Sequence, residues 1–152
     1  MTPPSFAEVL AAVPQQEPFR FIDEILELDD EHIVAAYRFR DDHDFYRGHF
    51  PGRPVTPGVI LIEAMAQAAL VAHSLYLAAA ETGGLRGASA PLSVFTDASV
   101  EFAAIVVPGT RVVTTGRKLF FRRRKLRSEV RMENDDGILV CSGTMSGMAV
   151  PS

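Results

Sequence analysis

Two side chains in this sequence have the type and the setting for proton-transfer chemistry, His49 and Glu63. They lie in the stretch GHFPGRPVTPGVILIEAMAQ, from Gly48 to Gln67. A neutral imidazole near pH 7 can accept a proton. Glu63 stands in an apolar run, Pro57 to Ala80, that contains no Lys or Arg to pair with it. An unpaired carboxylate is costly to bury, so such a carboxyl is driven towards its neutral form and a raised pKa. Which of the two is acid and which is base stays open, and one histidine can serve both steps. Gln67 follows Glu63 by four residues, on the same face of a helix and within hydrogen-bond reach. A helix that begins at Pro57 presents free N–H groups and a positive dipole end. Proline has no N–H, so Gly58 and Val59 are the first donors, and Gly58 has no side chain to block close approach. Such donors stabilise a developing oxyanion. A lone histidine in such a setting is more often a structural loop residue than a catalyst; the pairing of His49 with Glu63 favours chemistry.

The elements that must position these groups can be read in order. Ser5 and Glu8 form a capping box before a short helix, Phe6 to Ala12. Pro18 opens an extended run, FRFIDEILELD, with imperfect alternation that suggests a bulged strand. Ile33 to Arg40 reads as a second strand, antiparallel to the first. Asp41 to Arg47 is a polar loop. The long helix runs from about Pro57 to Ala80 and stops at Thr82-Gly83-Gly84. Four strands follow, beginning near Pro91, Arg111, Arg124 and Ile138, with turns at Pro108-Gly109 and Asn134 to Gly137. Short connections suggest that these last strands form a meander. Strands grouped away from a helix, rather than alternating with it, define an α+β fold: a curved antiparallel sheet wrapped about one buried helix.

Composition sets the outer bounds. A chain of 152 residues is expected to be a single domain, 1–152. A net charge of −4 gives no electrostatic case for nucleic acid. The Pro57–Ala80 run is long enough to cross a membrane, but Glu63, Gln67 and His73 interrupt it, so a buried helix of a soluble protein is expected, and no membrane. The N-terminus has no signal-peptide pattern, and the single cysteine, Cys141, fits a reducing compartment, so the expected location is cytoplasmic. Histidine and cysteine spacings match no metal site and there is no phosphate-binding glycine loop, so no metal and no cofactor are expected. His32 reads as exposed, His43 as a loop residue and His73 as a packed or hydrogen-bonded core group.

GHFPGRPVTPGVILIEAMAQ resembles the signature of the FabZ family, the 3-hydroxyacyl-acyl-carrier-protein dehydratases of type II fatty-acid synthesis, which have a hotdog fold. PFRFID resembles the family's opening strand and FTDASVEFAAIVVPGTRV its later strand pair, so the likeness runs from about Pro18 to Met148. The resemblance implies that His49 and Glu63 are catalytic, that Gln67 orients Glu63, and that the Gly58 N–H contacts the thioester carbonyl. It implies a dimer whose active sites each take His49 from one subunit and Glu63 from the other, with the acyl chain in a tunnel between them. A homodimer, a larger dimer-based assembly or a heterodimer would satisfy it. The implied reaction converts (3R)-3-hydroxyacyl thioesters of acyl carrier protein to trans-2-enoyl thioesters. A thioesterase, or a partner subunit of a heterodimeric dehydratase, is the alternative. The basic run Arg122, Arg123, Arg124, Lys125 and Arg127 reads either as a solvated strand edge or hairpin, or as a landing patch for the acidic carrier protein. Two positions depart from the family pattern: Ala103-Ala104-Ile105 stands where a basic residue and proline are common, and Arg20 where an apolar residue is usual. They leave the substrate open between ordinary fatty-acid and polyene or polyketide intermediates.

Overall fold

The computed structural model describes residues 2–85 and 92–150. Helix α1 (Phe6–Ala12) starts at the capping box: the Ser5 hydroxyl accepts from the Glu8 N–H and the Glu8 carboxylate accepts from the Ser5 N–H. Strands β1 (Glu24–Leu28) and β2 (His32–Arg38) pair antiparallel, with the bulge between Ile25 and Glu27. Asp29 closes their turn by accepting from the N–H groups of Glu31 and His32. β1 is shorter than its extended pattern suggests, because the chain at Phe19 and Phe21 is bonded to a helix side chain instead. The polar segment before His49 is also more ordered than a plain loop: Phe45–Gly48 makes one helical turn, α2. His43 is buried there, stacked on Phe45 and bonded to the Tyr37 hydroxyl at 2.6 Å.

The central helix α3 (Gly58–Thr82) has Pro57 as its N-cap and ends at Gly83, whose left-handed conformation returns its N–H to the Ala79 carbonyl. Its middle, Gln67–Ala72, winds as a π-helix and is wholly buried. It is long and apolar enough to cross a membrane, but two thirds of its most apolar window (67%) is covered by the protein. It is the core helix of a soluble fold.

Strands β3 (Leu92–Phe102), β4 (Arg111–Arg122), β5 (Lys125–Asn134) and β6 (Leu139–Val150) complete one antiparallel sheet in the order β1-β2-β4-β5-β6-β3. Pro91, where the sequence pattern opens the third strand, lies outside the described residues. The expected meander holds for β4, β5 and β6 but not for β3, which crosses to the far edge and pairs with β6. Residues 103–110 make that crossing. At ~3.3 Å per residue they reach about 26 Å, more than the ~15 Å of three strand spacings, so a short connection does not force neighbouring strands to pair.

Helix and sheet meet closely at Gly116 of β4. A Cβ there would lie 2.5 Å from the Ala69 Cβ and 3.1 Å from the Ala69 backbone. A backbone neighbour cannot swing aside, so Gly116→Ala must push the π segment off the sheet. This substitution is expected to lower the free energy of unfolding by about 1–3 kcal/mol, read as a lower urea midpoint with the slope unchanged.

Candidate active site

His49 ends α2 and is held from two sides. The Val55 N–H donates to its carbonyl at 2.9 Å, and its own Nδ1 lies 2.8 Å from the Val55 carbonyl oxygen. A carbonyl only accepts, so Nδ1 carries a hydrogen, and in the neutral imidazole Nε2 is then the nitrogen with the lone pair. The imidazole stacks on Phe50, with ring centroids 4.1 Å apart. The side chain is half-buried, and its one uncommitted nitrogen is the basic one.

Glu63 and Gln67 are joined directly, the Gln67 amide donating to Glu63 Oε2 at 2.9 Å. Gln67 is wholly buried. Its amide also donates to the Phe19 carbonyl at 2.9 Å, and its oxygen accepts from the Phe21 N–H at 2.7 Å. Both N–H donors of this amide are used and its oxygen accepts one hydrogen bond, which fixes the Glu63 carboxyl from one side. Burial raises the Glu63 pKa above its ordinary value, and the Gln67 hydrogen bond opposes this in part. Among the described residues no hydrogen bond or ion pair joins His49 to Glu63.

The helix start lies beside these groups. The N–H groups of Gly58 and Val59 find no acceptor among the described residues, whereas those of Ile60 and Leu61 turn to the Pro57 carbonyl. A Cβ on Gly58 would sit 3.1 Å from Phe102 Cζ, so a side chain there would have to shift the β3 ring that packs against the helix end. Val59 is 72% exposed. With Ile62, Phe95 and Ala98 it lines a mainly apolar groove of about 330 Å³ between α3 and β3.

Other expected site residues lie apart from this centre. Arg122, Arg123, Arg124 and Lys125 form the β4–β5 hairpin tip, and none of them has an acidic partner among the described residues. Arg127 does not stand with them: its guanidinium bonds to Asp97 of β3 and Ser146 of β6. His73 is a buried core group whose Nε2–H donates to the Asp29 carbonyl, and His32 lies between the carboxylates of Glu27 and Asp29 rather than free in solvent. Phe19, Phe21, Val55 and Phe102 shape the site without having been singled out in the sequence. The first three act through backbone groups, which leave no mark on residue type. Among the described residues no cluster of three or more His, Cys, Asp or Glu could hold a metal ion.

A helix wrapped by an antiparallel sheet, with a histidine loop leading into its open N-terminus, defines a hotdog-fold protein. The chain belongs to the FabA-like family, whose domain matches residues 13–143. It is 37% identical over 140 residues to the 3-hydroxyacyl-acyl-carrier-protein dehydratase FabZ of Streptococcus pyogenes, covering 91% of this chain and 94% of that protein. The dehydratase heterocomplex ApeI:P from Xenorhabdus doucetiae has the same fold, with a TM-score of 0.74 at 17% identity over 99% of this chain and 92% of that one. A thioesterase from Pseudomonas aeruginosa has a TM-score of 0.63 at 17% identity over 98% and 96% of the two chains.

The raised pKa of Glu63 makes a stability prediction. A carboxyl whose folded pKa lies above its unfolded value leaves the fold at full stability below the unfolded pKa, and that stability is lost as pH rises through the folded pKa. Glu63→Gln keeps an acceptor for Gln67 and cannot ionise. It is expected to match the wild type in urea at about pH 4 and to exceed it at about pH 8, which equilibrium unfolding at the two pH values checks.

Proposed function

We propose that this protein dehydrates (3R)-3-hydroxyacyl thioesters of acyl carrier protein to trans-2-enoyl thioesters, in fatty-acid synthesis or a related polyene or polyketide route. The observation that carries this reading is the 37% identity, across nearly the whole of both chains, to a protein named for that reaction. The geometry supports a division of labour. His49 Nε2 takes the proton from C2, and the N–H groups of Gly58 and Val59 receive the negative charge that develops on the thioester oxygen. The C2 electron pair forms the C2=C3 bond as the C3–O bond breaks. Glu63, whose protonated form burial favours, gives its proton to the departing hydroxyl, which leaves as water. Transfer of the proton on His49 to Glu63 restores the starting state. The groove beside Val59 and Phe95 suits an acyl chain.

The sheet edges support a dimer. β1 is short, bulged and charged, as a protected edge should be. β3 is an eleven-residue edge that exposes Leu92, Val94, Phe95 and Phe102. In the proposed assembly a second copy, or a related chain, pairs there, and each site draws His49 and Glu63 from different subunits. The thioesterase likeness rests on fold alone. Cys141 is a buried free thiol, in keeping with the proposed cytoplasmic location.

Enoyl absorbance on mixing with a panel of 3-hydroxyacyl thioesters tests the reaction. His49→Ala is expected to slow it roughly 10²–10⁴-fold. Co-refolding inactive His49→Ala with inactive Glu63→Gln is expected to restore activity, because the hybrid dimer regains one intact site. A hybrid as inactive as its parents places both residues of a site in one subunit.

The hairpin tip is the proposed carrier-protein dock. Arg123 and Arg124 hold φ values of 52° and 62°, the left-handed geometry that a two-residue turn needs and that asparagine and glycine adopt with less strain. Arg123→Asn/Arg124→Gly relieves the strain and removes two charges. It is expected to raise the melting temperature and to raise KM roughly tenfold, about 1.4 kcal/mol, for carrier-linked substrate. KM for a short pantetheine thioester should be unchanged.

A further inference from the structure

We infer that the hydrogen bond between Tyr46 and Thr56 positions His49 relative to the start of the central helix. Tyr46 lies within α2, before the loop, and Thr56 lies where the loop returns; the two hydroxyl oxygens meet at 2.6 Å with both residues about 5% exposed. It is the only hydrogen bond between two side chains within residues 46–58, among the described residues. The His49 N–H closes α2 on the Phe45 carbonyl, and the two groups that hold its carbonyl and its ring both belong to Val55, its N–H and its carbonyl. Val55 is in turn held by the next residue, since Thr56 donates its N–H to the Val106 carbonyl at 2.8 Å and meets Tyr46 with its hydroxyl. Pro57 and Gly58 follow immediately. One buried contact therefore sets the imidazole and the open N–H groups in a single frame. The rest of the loop has only a local turn at its tip, where Phe50 and Arg53 exchange backbone hydrogen bonds around Gly52.

A Phe–Val pair would fill nearly the same volume and leave no polar group to satisfy. What the two hydroxyls add is direction: a short hydrogen bond in a buried setting fixes both distance and angle, which apolar contact leaves loose. Loss of that definition lets Val55 drift and frees the His49 ring to turn or change tautomer. A displacement of about 1 Å in a positioned base can slow a reaction by as much as ~10²-fold.

The test separates positioning from stability. Thr56→Val or Tyr46→Phe leaves one buried hydroxyl unpaired, whereas the double variant leaves none and should regain most of the lost stability. In the wild type, two-bond nitrogen–hydrogen correlation of the His49 ring near pH 8 is expected to show the hydrogen on Nδ1. In the double variant the ring signals should average between tautomers, and kcat should fall roughly 10- to 100-fold with KM little changed. Thr56→Ser keeps the hydroxyl and should recover wild-type kcat and ring signals. A double variant that is stable, keeps the wild-type tautomer and turns over at the wild-type rate overturns the inference. So does a Thr56→Ser protein as slow as Thr56→Val. The kinetic arm rests on the dehydratase reading. A wild type that dehydrates no 3-hydroxyacyl thioester sinks that reading while the ring signals still decide the positioning role.

Discussion

A primary amide in the middle of an apolar helix has few ways to be stable, and Gln67 satisfies its needs with three partners. Two are backbone groups of the segment that leads into β1; the third is the Glu63 carboxyl. An unsatisfied buried amide group would cost about 1–3 kcal/mol, so the segment at Phe19–Phe21 is drawn onto the helix and away from the sheet ladder. Phe21 is thereby placed among Tyr37, Phe39, His43 and Phe45, the aromatic cluster that supports α2 and the loop beyond it. One buried side chain thus couples the helix, the first strand and a proposed catalytic acid.

The same logic of satisfaction explains why the helix can hold a carboxyl at all. Among the described residues Glu63 has no cation paired with it, and its hydrogen-bond donor is a neutral amide, so burial favours the protonated form. On the other side of the proposed reaction, the His49 Nδ1–H is bound to the Val55 carbonyl, which leaves Nε2 as the ring nitrogen open to substrate. Neither group is matched to the other within the chain. The apolar β3 edge and the exposed Val59 border the groove beside the helix start, and a surface of that composition fits closure by another subunit.

Much of the architecture was legible from local signals. The capping box, the bulged first hairpin, the long helix with its glycine stop and the four later strands all follow from periodicity and turn chemistry, and each is present within a few residues of its expected place. The Glu63–Gln67 contact was legible too, because a four-residue spacing on a helix is a local geometric fact. The π segment escaped notice, since an extra residue per turn leaves the apolar run unchanged. The hairpin at the basic run was legible, but its left-handed turn was not, because Arg123 and Arg124 are not residues that this geometry prefers.

The sequence by itself determined the elements and the chemical types available to the site. These properties depend on neighbours close along the chain. Tertiary structure decided that β3 crosses to the outer edge, that Arg127 turns to Asp97, that Gln67 captures Phe19 and Phe21, and that Tyr46 reaches Thr56. Each of these joins segments by a hydrogen bond or strand pairing for which several partners were chemically equivalent in the sequence. Packing the sheet around one buried helix selected among them.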